Sequence, residues 1–353
     1  MQIHATNISG LGASQVVISF LESFEKSDEI LGSHIYLPQT GALSNYKSKK
    51  GTVKTFNRYF PNGVSRFLEC FFSKFLFPNI PTIVLGDIPL RGIKDQIVLV
   101  HQPNLVYPRV NDFSSRSIKF RVNRFLFLIN NRFAKKIIVQ TGAMASQLIN
   151  SYPKIKEKVL IIPQPAPNWL DLKRDRSFGF DDKVKLFYPA AVYAHKKHDF
   201  LLKFNSYCVK NNVDSSKFEI WLTLTEDEFE EFKEISFIKN LGRLNAKKMN
   251  LFYQKSDALL FLSSMESYGF PLIEALTINL PIITVDFPYS KWLCENEAYY
   301  FEPYKEDSLM KAISLFCEEY KNGKLPDYYS LLLKFPRTWD EITFKFYRAL
   351  FEK

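Results

Sequence analysis

The stretch that decides the fold is SDALLFLSSMESYGFPLIEALTINLPIITVD, residues 256–286. Two apolar, β-rich runs enclose a polar loop and an apolar helical pattern, which predicts one strand–loop–helix–strand unit. Pro271 suits the first turn of a helix, because its fixed φ and missing N–H cost nothing there, and Gly269 gives the preceding loop conformational freedom. This segment therefore predicts a helix N-terminus that binds phosphate at the carboxyl end of a strand.

Short apolar runs of the same kind alternate with helical patterns along the whole chain. They cover residues 3–5, 82–85, 97–100, 136–139, 159–162, 186–188, 218–222, 258–262 and 282–285. Uninterrupted apolar strands are typical of parallel sheets that helices cover on both faces. Three prolines within residues 163–168 indicate a boundary between two α/β units, with the ligand expected in a cleft between them.

Composition limits the possible classes of protein. The chain has 353 residues, 46% of them apolar, which is enough for folded cores and excludes a disordered chain. The four cysteines are far apart in sequence, so neither a zinc site nor a disulfide framework is expected, and a reducing, cytoplasmic setting fits best. Neither an N-terminal signal pattern nor an apolar run of about 18 residues is present, so no membrane span is expected.

Positive charge is concentrated in the first part of the chain. Residues 1–160 contain 21 Lys and Arg against 9 Asp and Glu, whereas the remainder contains 26 against 28. Such asymmetry predicts an anionic partner, and without a recognition motif we do not expect nucleic acid. Basic and bulky apolar residues interleave in segments 66–77 and 116–133. These segments are either core helices with solvated Lys and Arg or interfacial amphipathic helices.

Two carboxylates flank the predicted phosphate-binding turn. Glu266 lies in the loop and Glu274 in the expected first turn of the helix. Carboxylates accept hydrogen bonds from sugar hydroxyls, and a nucleotide sugar has ribose on one side of its diphosphate and a hexose on the other. The pair therefore fits a nucleotide sugar. Helix capping is the alternative for Glu274, since an acidic residue near a helix start contributes about 0.3–1 kcal/mol.

The segment ESYGFPLIEAL, residues 266–276, resembles the E-x7-E signature of retaining glycosyltransferase family 4, of the surface-polysaccharide type. Further similarities follow in order: the turn Gly10-Leu11-Gly12, HQPN at 101–104, VQT at 139–141, AHKKH at 194–198, and LGRL at 241–244. The final segment FPRTWDEITFKFYRALFEK is similar to the family's last helix. The resemblance thus covers nearly the whole chain.

This resemblance implies an α/β protein of the GT-B fold, with two Rossmann-like α/β/α domains facing a central cleft. Residues 1–165 would form the acceptor-binding domain and residues 166–335 the nucleotide-sugar-binding domain. Residues 336–353 would form a helix that crosses back to the N-terminal domain. Because a lone GxG lacks the third glycine and the distal acidic residue of a dinucleotide fingerprint, a nicotinamide or flavin cofactor is not expected.

The resemblance also assigns roles to single residues. Glu274 matches the carboxylate that holds the nucleotide ribose, and Glu266 matches the one that faces the transferred sugar. Lys196 matches the positively charged residue that contacts the donor phosphates. The expected catalytic residues are Glu266, Lys196 and His101, and the expected donor-binding residues are Glu274, Gly269, Phe270, Tyr268, Arg243, Gly10 and Gly12. Family members often carry a second phosphate-binding Arg where this chain has Ala191, for which Arg243, His195 or Lys197 could compensate.

The implied protein is a cytoplasmic hexosyltransferase, peripheral on the inner face of the membrane. It would move one sugar from a nucleotide-sugar donor to a lipid-linked or oligosaccharide acceptor in surface-polysaccharide synthesis, such as O-antigen, lipopolysaccharide or capsule. No Asp-x-Asp triplet is present, so no metal is expected, and no cofactor besides the donor. Ala191 motivates the alternative of a non-catalytic family member that binds a nucleotide sugar or a partner transferase.

Overall fold

The computed structural model describes residues 1–8, 10–57, 59–60, 62–106, 115–170 and 183–352. They form two compact α/β units. Unit 1 comprises Met1–Pro165 together with Pro336–Lys353, and unit 2 comprises Ala166–Phe335. Each unit is built around one sheet, and the strand pairings in both sheets are parallel.

Unit 1 contains a seven-stranded sheet with the order β3-β2-β1-β4-β5-β6-β7. Its strands are β1 Gln2–His4, β2 His34–Pro38, β3 Thr52–Phe56, β4 Thr82–Val84, β5 Gln96–Leu99, β6 Ala134–Val139 and β7 Val159–Ile161. Its first helices are α1 Leu11–Phe24, α2 Asn62–Phe71, α3 Ser73–Leu76, α4 Ser115–Asn130 and α5 Gly142–Ser151. The strands β1, β4 and β5 are buried at every residue, as expected for central strands covered on both faces.

Unit 2 contains a six-stranded sheet with the order β10-β9-β8-β11-β12-β13. Its strands are β8 Val184–Tyr188, β9 Phe218–Leu222, β10 Ile238–Asn240, β11 Ala258–Phe261, β12 Ile282–Val285 and β13 Tyr299–Phe301. Its helices are α6 Asp199–Lys210, α7 Glu226–Phe229, α8 Ala246–Lys255, α9 Phe270–Thr277, α10 Pro288–Cys294, α11 Glu306–Lys321 and α12 Tyr329–Leu332. Because the order reverses between β8 and β11, their carboxyl ends lie at the point where ligands bind in open α/β sheets.

The last helix, α13 (Trp339–Phe351), returns to unit 1 and packs on α1. The rings of Phe20 and Phe346 lie 5.2 Å apart, and the hydroxyl of Ser23 donates to Asp340. At the other end of the helix, Lys135 Nζ donates to the carbonyl of Leu350 at 2.9 Å. The end of the chain therefore completes the core of the unit that the first residues begin.

The expected architecture of parallel, Rossmann-like units is confirmed, and each of the nine apolar runs overlaps a strand. The sequence did not predict β2, β3, β10 and β13. Three of these, β3, β10 and β13, are edge strands. Strand β3, for example, exposes several of its side chains and therefore lacks the continuous apolar pattern of a buried strand. Among the described residues, no helix has both the length and the apolar character needed to cross a membrane.

Candidate functional site

The predicted donor site of unit 2 lies at the carboxyl ends of β8 and β11, which are neighbours in the sheet. The loop after β8 contains a single 3-10 turn, Ala194–Lys196, and the loop after β11 leads into α9. The carbonyl of His195 accepts hydrogen bonds from Ser264 N at 2.7 Å and from Ser263 Oγ at 3.2 Å. The two loops are therefore joined directly, although about 70 residues separate them in sequence.

Lys196 and Glu266, two of the three expected catalytic residues, form an ion pair between these loops. Their side chains are only 16% and 14% exposed, so little water screens the pair. The backbone of Lys196 is held as well, since Tyr188 Oη donates to its carbonyl. An ammonium group has three N–H donors. The Lys196 ammonium can therefore bind Glu266 and still offer donors to a phosphate.

Gly269 begins helix α9 in a left-handed conformation, with φ +88° and ψ +62°. No side chain caps this helix, so its N-terminus is formed by backbone alone. A Cβ at this position would lie 3.3 Å from Leu272 Cδ1. The left-handed conformation therefore favours glycine at this position. A backbone N-terminus of this kind is suited to phosphate oxygens.

Replacing Gly269 with alanine is expected to destabilise unit 2 by about 1–3 kcal/mol, because an L-residue is strained in this region of φ and ψ. Thermal unfolding of the two proteins measures the change as a lower Tm. The matched control is Gly63→Ala in α2, where φ is negative and no heavy atom lies within 4 Å of an added Cβ. A Tm for Gly269→Ala equal to that of the control would contradict the strain argument.

Glu274 is buried on α9 and accepts a hydrogen bond from Tyr253 Oη. Burial raises the pKa of Glu274 from 4.5 to about 7, although the Tyr253 hydroxyl and the charge of Lys196 both lower it. The helix begins at Phe270, so Glu274 lies in its second turn and not in the first turn expected from sequence. Helix capping therefore does not explain this carboxylate. Tyr253, which holds it, was not predicted.

The two aromatic residues of the signature differ in exposure. Tyr268 is buried, with only 1% of its surface exposed, whereas Phe270 is half-buried. Their rings meet edge to face, with centroids 5.2 Å apart. Tyr268 thus supports Phe270 from within the core, and Phe270 is the one with surface available to a ligand.

Arg243, an expected donor-binding residue, lies after the edge strand β10, two strands away from β8. Its Nη2 binds both carboxylate oxygens of Glu228, at 2.7 and 2.6 Å. Glu228 also closes the capping box of α7 with Thr225. Arg243 therefore contacts α7. Among the contacts of the described residues, none joins Arg243 to Lys196.

The remaining residues of the AHKKH segment lie around Lys196. His195 stacks on Tyr193 with ring centroids 5.7 Å apart, and the Lys197 ammonium lies 5.4 Å from the ring centroid of Tyr304. His198 is buried, and burial together with the charge of Lys196 lowers its pKa to about 4. Its imidazole is therefore neutral at physiological pH, which leaves Lys196 as the fixed positive charge next to Glu266.

Gly10 and Gly12 lie after β1 in unit 1. The sequence predicted a turn at Gly10-Leu11-Gly12, but α1 already begins at Leu11, with Gly10 as its N-cap and Gly12 inside it. Gly10 has φ −76°, and no heavy atom lies within 4 Å of a Cβ added at either glycine. Conformation therefore does not require these glycines, and open space lies beside the start of α1.

His101, the third expected catalytic residue, follows β5 and is organised by Asp87, which the sequence did not reveal. Asp87 Oδ1 accepts hydrogen bonds from the backbone N–H of His101 at 2.8 Å and of Gln102 at 2.9 Å. Its Oδ2 lies 3.6 Å from His101 Nε2. Asp87 itself adopts a left-handed φ of +68°. A carboxylate directly after an apolar strand is the signal that could have indicated this residue.

A buried ion pair lies close to the same edge of the unit 1 sheet. Arg66 Nη1 is 3.0 Å from Glu69 Oε1, and Arg66 Nη2 donates to the carbonyl of Gly86 at 2.8 Å. The hydroxyl of Thr6 also donates to Glu69. Arg66 begins the first of the two basic and apolar segments, so this charge is internal and is unavailable to a partner. Among the described residues, no cluster of three or more metal-binding side chains occurs.

One comparison with known proteins covers the region that contains this site. Residues 173–330 match the protein-family model described as Glycosyl transferases group 1. A stretch of 74 residues is 35% identical to the serotype-specific mannosyltransferase WbdA of Escherichia coli, covering 21% of this chain and 9% of WbdA. A stretch of 238 residues is 24% identical to the O-antigen chain mannosyltransferase RfbU of Salmonella typhimurium, covering 64% of this chain and 61% of RfbU.

The chain therefore spans less than two thirds of the length of either relative. In structure, it superposes on WaaG, a glycosyltransferase involved in lipopolysaccharide biosynthesis, with a TM-score of 0.64 and 13% identity. That superposition covers 100% of this chain and 95% of WaaG. The expected GT-B fold class is thus confirmed.

Proposed function

We propose that this protein is a retaining glycosyltransferase of family 4 that moves one hexose from a nucleotide sugar to a lipid-linked glycan of a surface polysaccharide. The observation that carries the proposal is the grouping of Lys196, Glu266, Gly269 and Glu274 around one turn, at the reversal point of the unit 2 sheet. The match of residues 173–330 to the glycosyltransferase group 1 model supports it, as does the similarity to RfbU.

In this proposal, each group has a distinct role toward the donor. The N-terminus of α9 binds the diphosphate, and Glu274 accepts hydrogen bonds from the ribose hydroxyls. Glu266 faces the transferred hexose. Lys196 stabilises the negative charge that develops on the leaving nucleotide diphosphate, which is most effective where water is scarce and the ammonium is already fixed. Within unit 1, His101, held by Asp87, positions a hydroxyl of the acceptor.

Catalysis then rests on positioning and on leaving-group electrostatics. In a same-face reaction, the bond from the anomeric carbon to the phosphate oxygen breaks while the acceptor hydroxyl bonds to the same face of that carbon. The leaving phosphate takes the hydroxyl proton, so configuration is retained and no separate base is needed. We propose that the reaction requires no metal, because Lys196 and the α9 amides supply the positive electrostatic environment that a metal would otherwise provide.

The first experiment is a thermal-shift screen of UDP, GDP, dTDP and ADP, with CMP as the control. One diphosphate is expected to raise the Tm, since a ligand at 100 times its Kd adds about 2.7 kcal/mol of stability. The same ligand should give a much smaller shift with Glu274→Ala, whereas Glu219→Ala on β9 should respond like wild type. If no diphosphate shifts the Tm at millimolar concentration, nucleotide binding at this site is refuted.

Ala191 favours a second candidate function, that of a non-catalytic family member which binds a nucleotide sugar or a partner transferase. The residue is half-buried after β8, and it offers a methyl group where the resemblance implies a guanidinium. Donor binding without sugar release, unaffected by Glu266→Ala, would support this candidate over catalysis. Release of the nucleotide diphosphate that depends on Glu266 would exclude it.

A further inference from the structure

The Lys196 ammonium has a second neighbour besides Glu266. Its Nζ lies 5.3 Å from the ring centroid of Phe261, the last residue of β11, which is fully buried. A cation within about 6 Å of the centroid of an aromatic ring is attracted by the quadrupole of that ring. Because the lysine side chain is only 16% exposed, water weakens this attraction little. The ammonium is therefore held by a carboxylate and by an aromatic face.

Two buried tyrosines pack on the ring of Phe261. The Tyr188 and Phe261 rings lie nearly perpendicular with centroids 6.2 Å apart, and the Tyr289 and Phe261 rings do so at 6.3 Å. Both hydroxyls donate to loops of the site, that of Tyr188 to the carbonyl of Lys196 and that of Tyr289 to the carbonyl of Ser263 at 2.6 Å. Burial raises the pKa of both phenols well above the usual 10, so both hydroxyls stay protonated. The same two residues thus fix the ring and the backbone around it.

Other basic side chains of unit 2 that lie near this edge of the sheet have other contacts or no charge. Arg243 binds both carboxylate oxygens of Glu228 on α7. The Lys197 ammonium lies 5.4 Å from the centroid of an aromatic ring in the loop after β13. His198 is neutral, because burial lowers its pKa to about 4. Stabilisation of a leaving diphosphate therefore depends on where the Lys196 ammonium is held, and it is largest when that charge is fixed before the reaction begins.

We propose that Phe261 is a positioning residue for Lys196, whose ammonium its aromatic face holds in place for the donor phosphates. The inference rests on the proposed function, because Phe261 acts only through Lys196. A lysine side chain is long and flexible, so Glu266 as its one partner would leave the ammonium free to move with the carboxylate. The ring restricts it from a second side. The carboxylate and the ring face then occupy two of its three N–H groups, which leaves one for a phosphate oxygen.

Fluorinated phenylalanines at position 261 of the full chain test the proposal. Fluorine withdraws electrons from the ring face but changes the size of the ring little, so a core residue tolerates it whereas a cation–π contact weakens. With one, two and three fluorine atoms on the ring, affinity for the diphosphate should fall stepwise, by about threefold to tenfold in all. Calorimetric titration with UDP, GDP, dTDP and ADP measures the Kd. The matched control is the same series at Phe218, which is buried at the start of β9, at the opposite edge of the sheet, and should bind like wild type.

The same series in a Lys196→Ala background separates positioning from packing. If Phe261 acts through Lys196, the number of fluorine atoms should no longer change the Kd once the ammonium is gone. A decline that persists in this background, or a flat series in the wild-type background, refutes the positioning role and leaves the proposed donor site intact. If Lys196→Ala binds as tightly as wild type, or if wild type binds none of the four diphosphates, the proposed donor site fails and the inference fails with it.

Discussion

Lys196→Ala is expected to lower kcat by about 10²–10³-fold, because it removes the fixed positive charge that stabilises the leaving diphosphate in the transition state. The ammonium is held by Glu266, and the Lys196 backbone is held by Tyr188, so its position is set before the donor binds. The kcat/KM should fall by a similar factor, since the contact strengthens only as charge develops. Initial rates of nucleotide diphosphate release, with the donor that the screen identifies, measure the effect.

The control for this variant is Lys203→Ala on α6, a lysine exposed to solvent in the same unit. Its kcat should equal that of the wild-type protein. If Lys196 only supports the fold through its ion pair, Lys196→Ala will lower the Tm and leave kcat unchanged in the fraction that remains folded. That result would contradict a catalytic role for the lysine.

Glu274→Gln is expected to weaken binding of the nucleotide diphosphate at pH 8 by about 10- to 100-fold, the usual range for losing charged hydrogen bonds. In the free protein the pKa of Glu274 is about 7, so the carboxylate becomes predominantly ionised between pH 6 and pH 8. Wild-type affinity should therefore change with pH across this range in a way that the affinity of Glu274→Gln does not, over and above the titration of the diphosphate itself. Calorimetric titration at several pH values measures both.

The same carboxyl group makes stability depend on pH. Its folded pKa lies above the unfolded value of 4.5, so its contribution is complete below pH 4.5 and is lost as pH rises through 7. The free energy of unfolding falls by about 3 kcal/mol over this range, because the pKa of Glu274 is about 7 in the folded protein and 4.5 in the unfolded chain. The Tm of Glu274→Gln should fall less than that of wild type between pH 5 and pH 8.

Tyr253→Phe is the matched variant for this pH dependence. It removes the hydroxyl that donates to Glu274 but keeps the buried ring. Because that hydrogen bond lowers the pKa of the carboxyl, its loss should move the midpoint of the pH dependence to higher pH. Identical pH profiles for wild type, Glu274→Gln and Tyr253→Phe would contradict the assignment of the titration to Glu274.

Much of the fold could be predicted from the sequence because buried strands have a characteristic pattern. A strand buried on both faces must be apolar at nearly every residue, so β11 and β12 are visible as unbroken runs. The edge strand β3 has one free side and exposes Thr52, Lys54 and Thr55, so its sequence resembles a loop. In the same way, the Gly269 and Pro271 pair indicated the start of α9 because backbone conformation is a local property.

The candidate site could be predicted only in part from the sequence. The two signature carboxylates were identified because they flank one turn within nine residues. Asp87 was missed, since its partner His101 lies after the next strand of the sheet, far from it in sequence. Tyr253 was missed because it reaches Glu274 from another helix. The segment that starts at Arg66 was predicted to be either a core helix with solvated Lys and Arg or an interfacial helix, although this arginine is buried with Glu69.

By itself, the sequence determined nine of the thirteen strands that the structure describes, the turn that begins α9, and the excess of positive charge in the first 160 residues. These are properties of short segments or of composition. Only the tertiary structure decided which charges meet. Lys196 and Glu266 lie about 70 positions apart and become partners because β8 and β11 pair in parallel, which brings the loops that follow them to the same edge. The pairing of the strands, and not the spacing of the residues, builds the site.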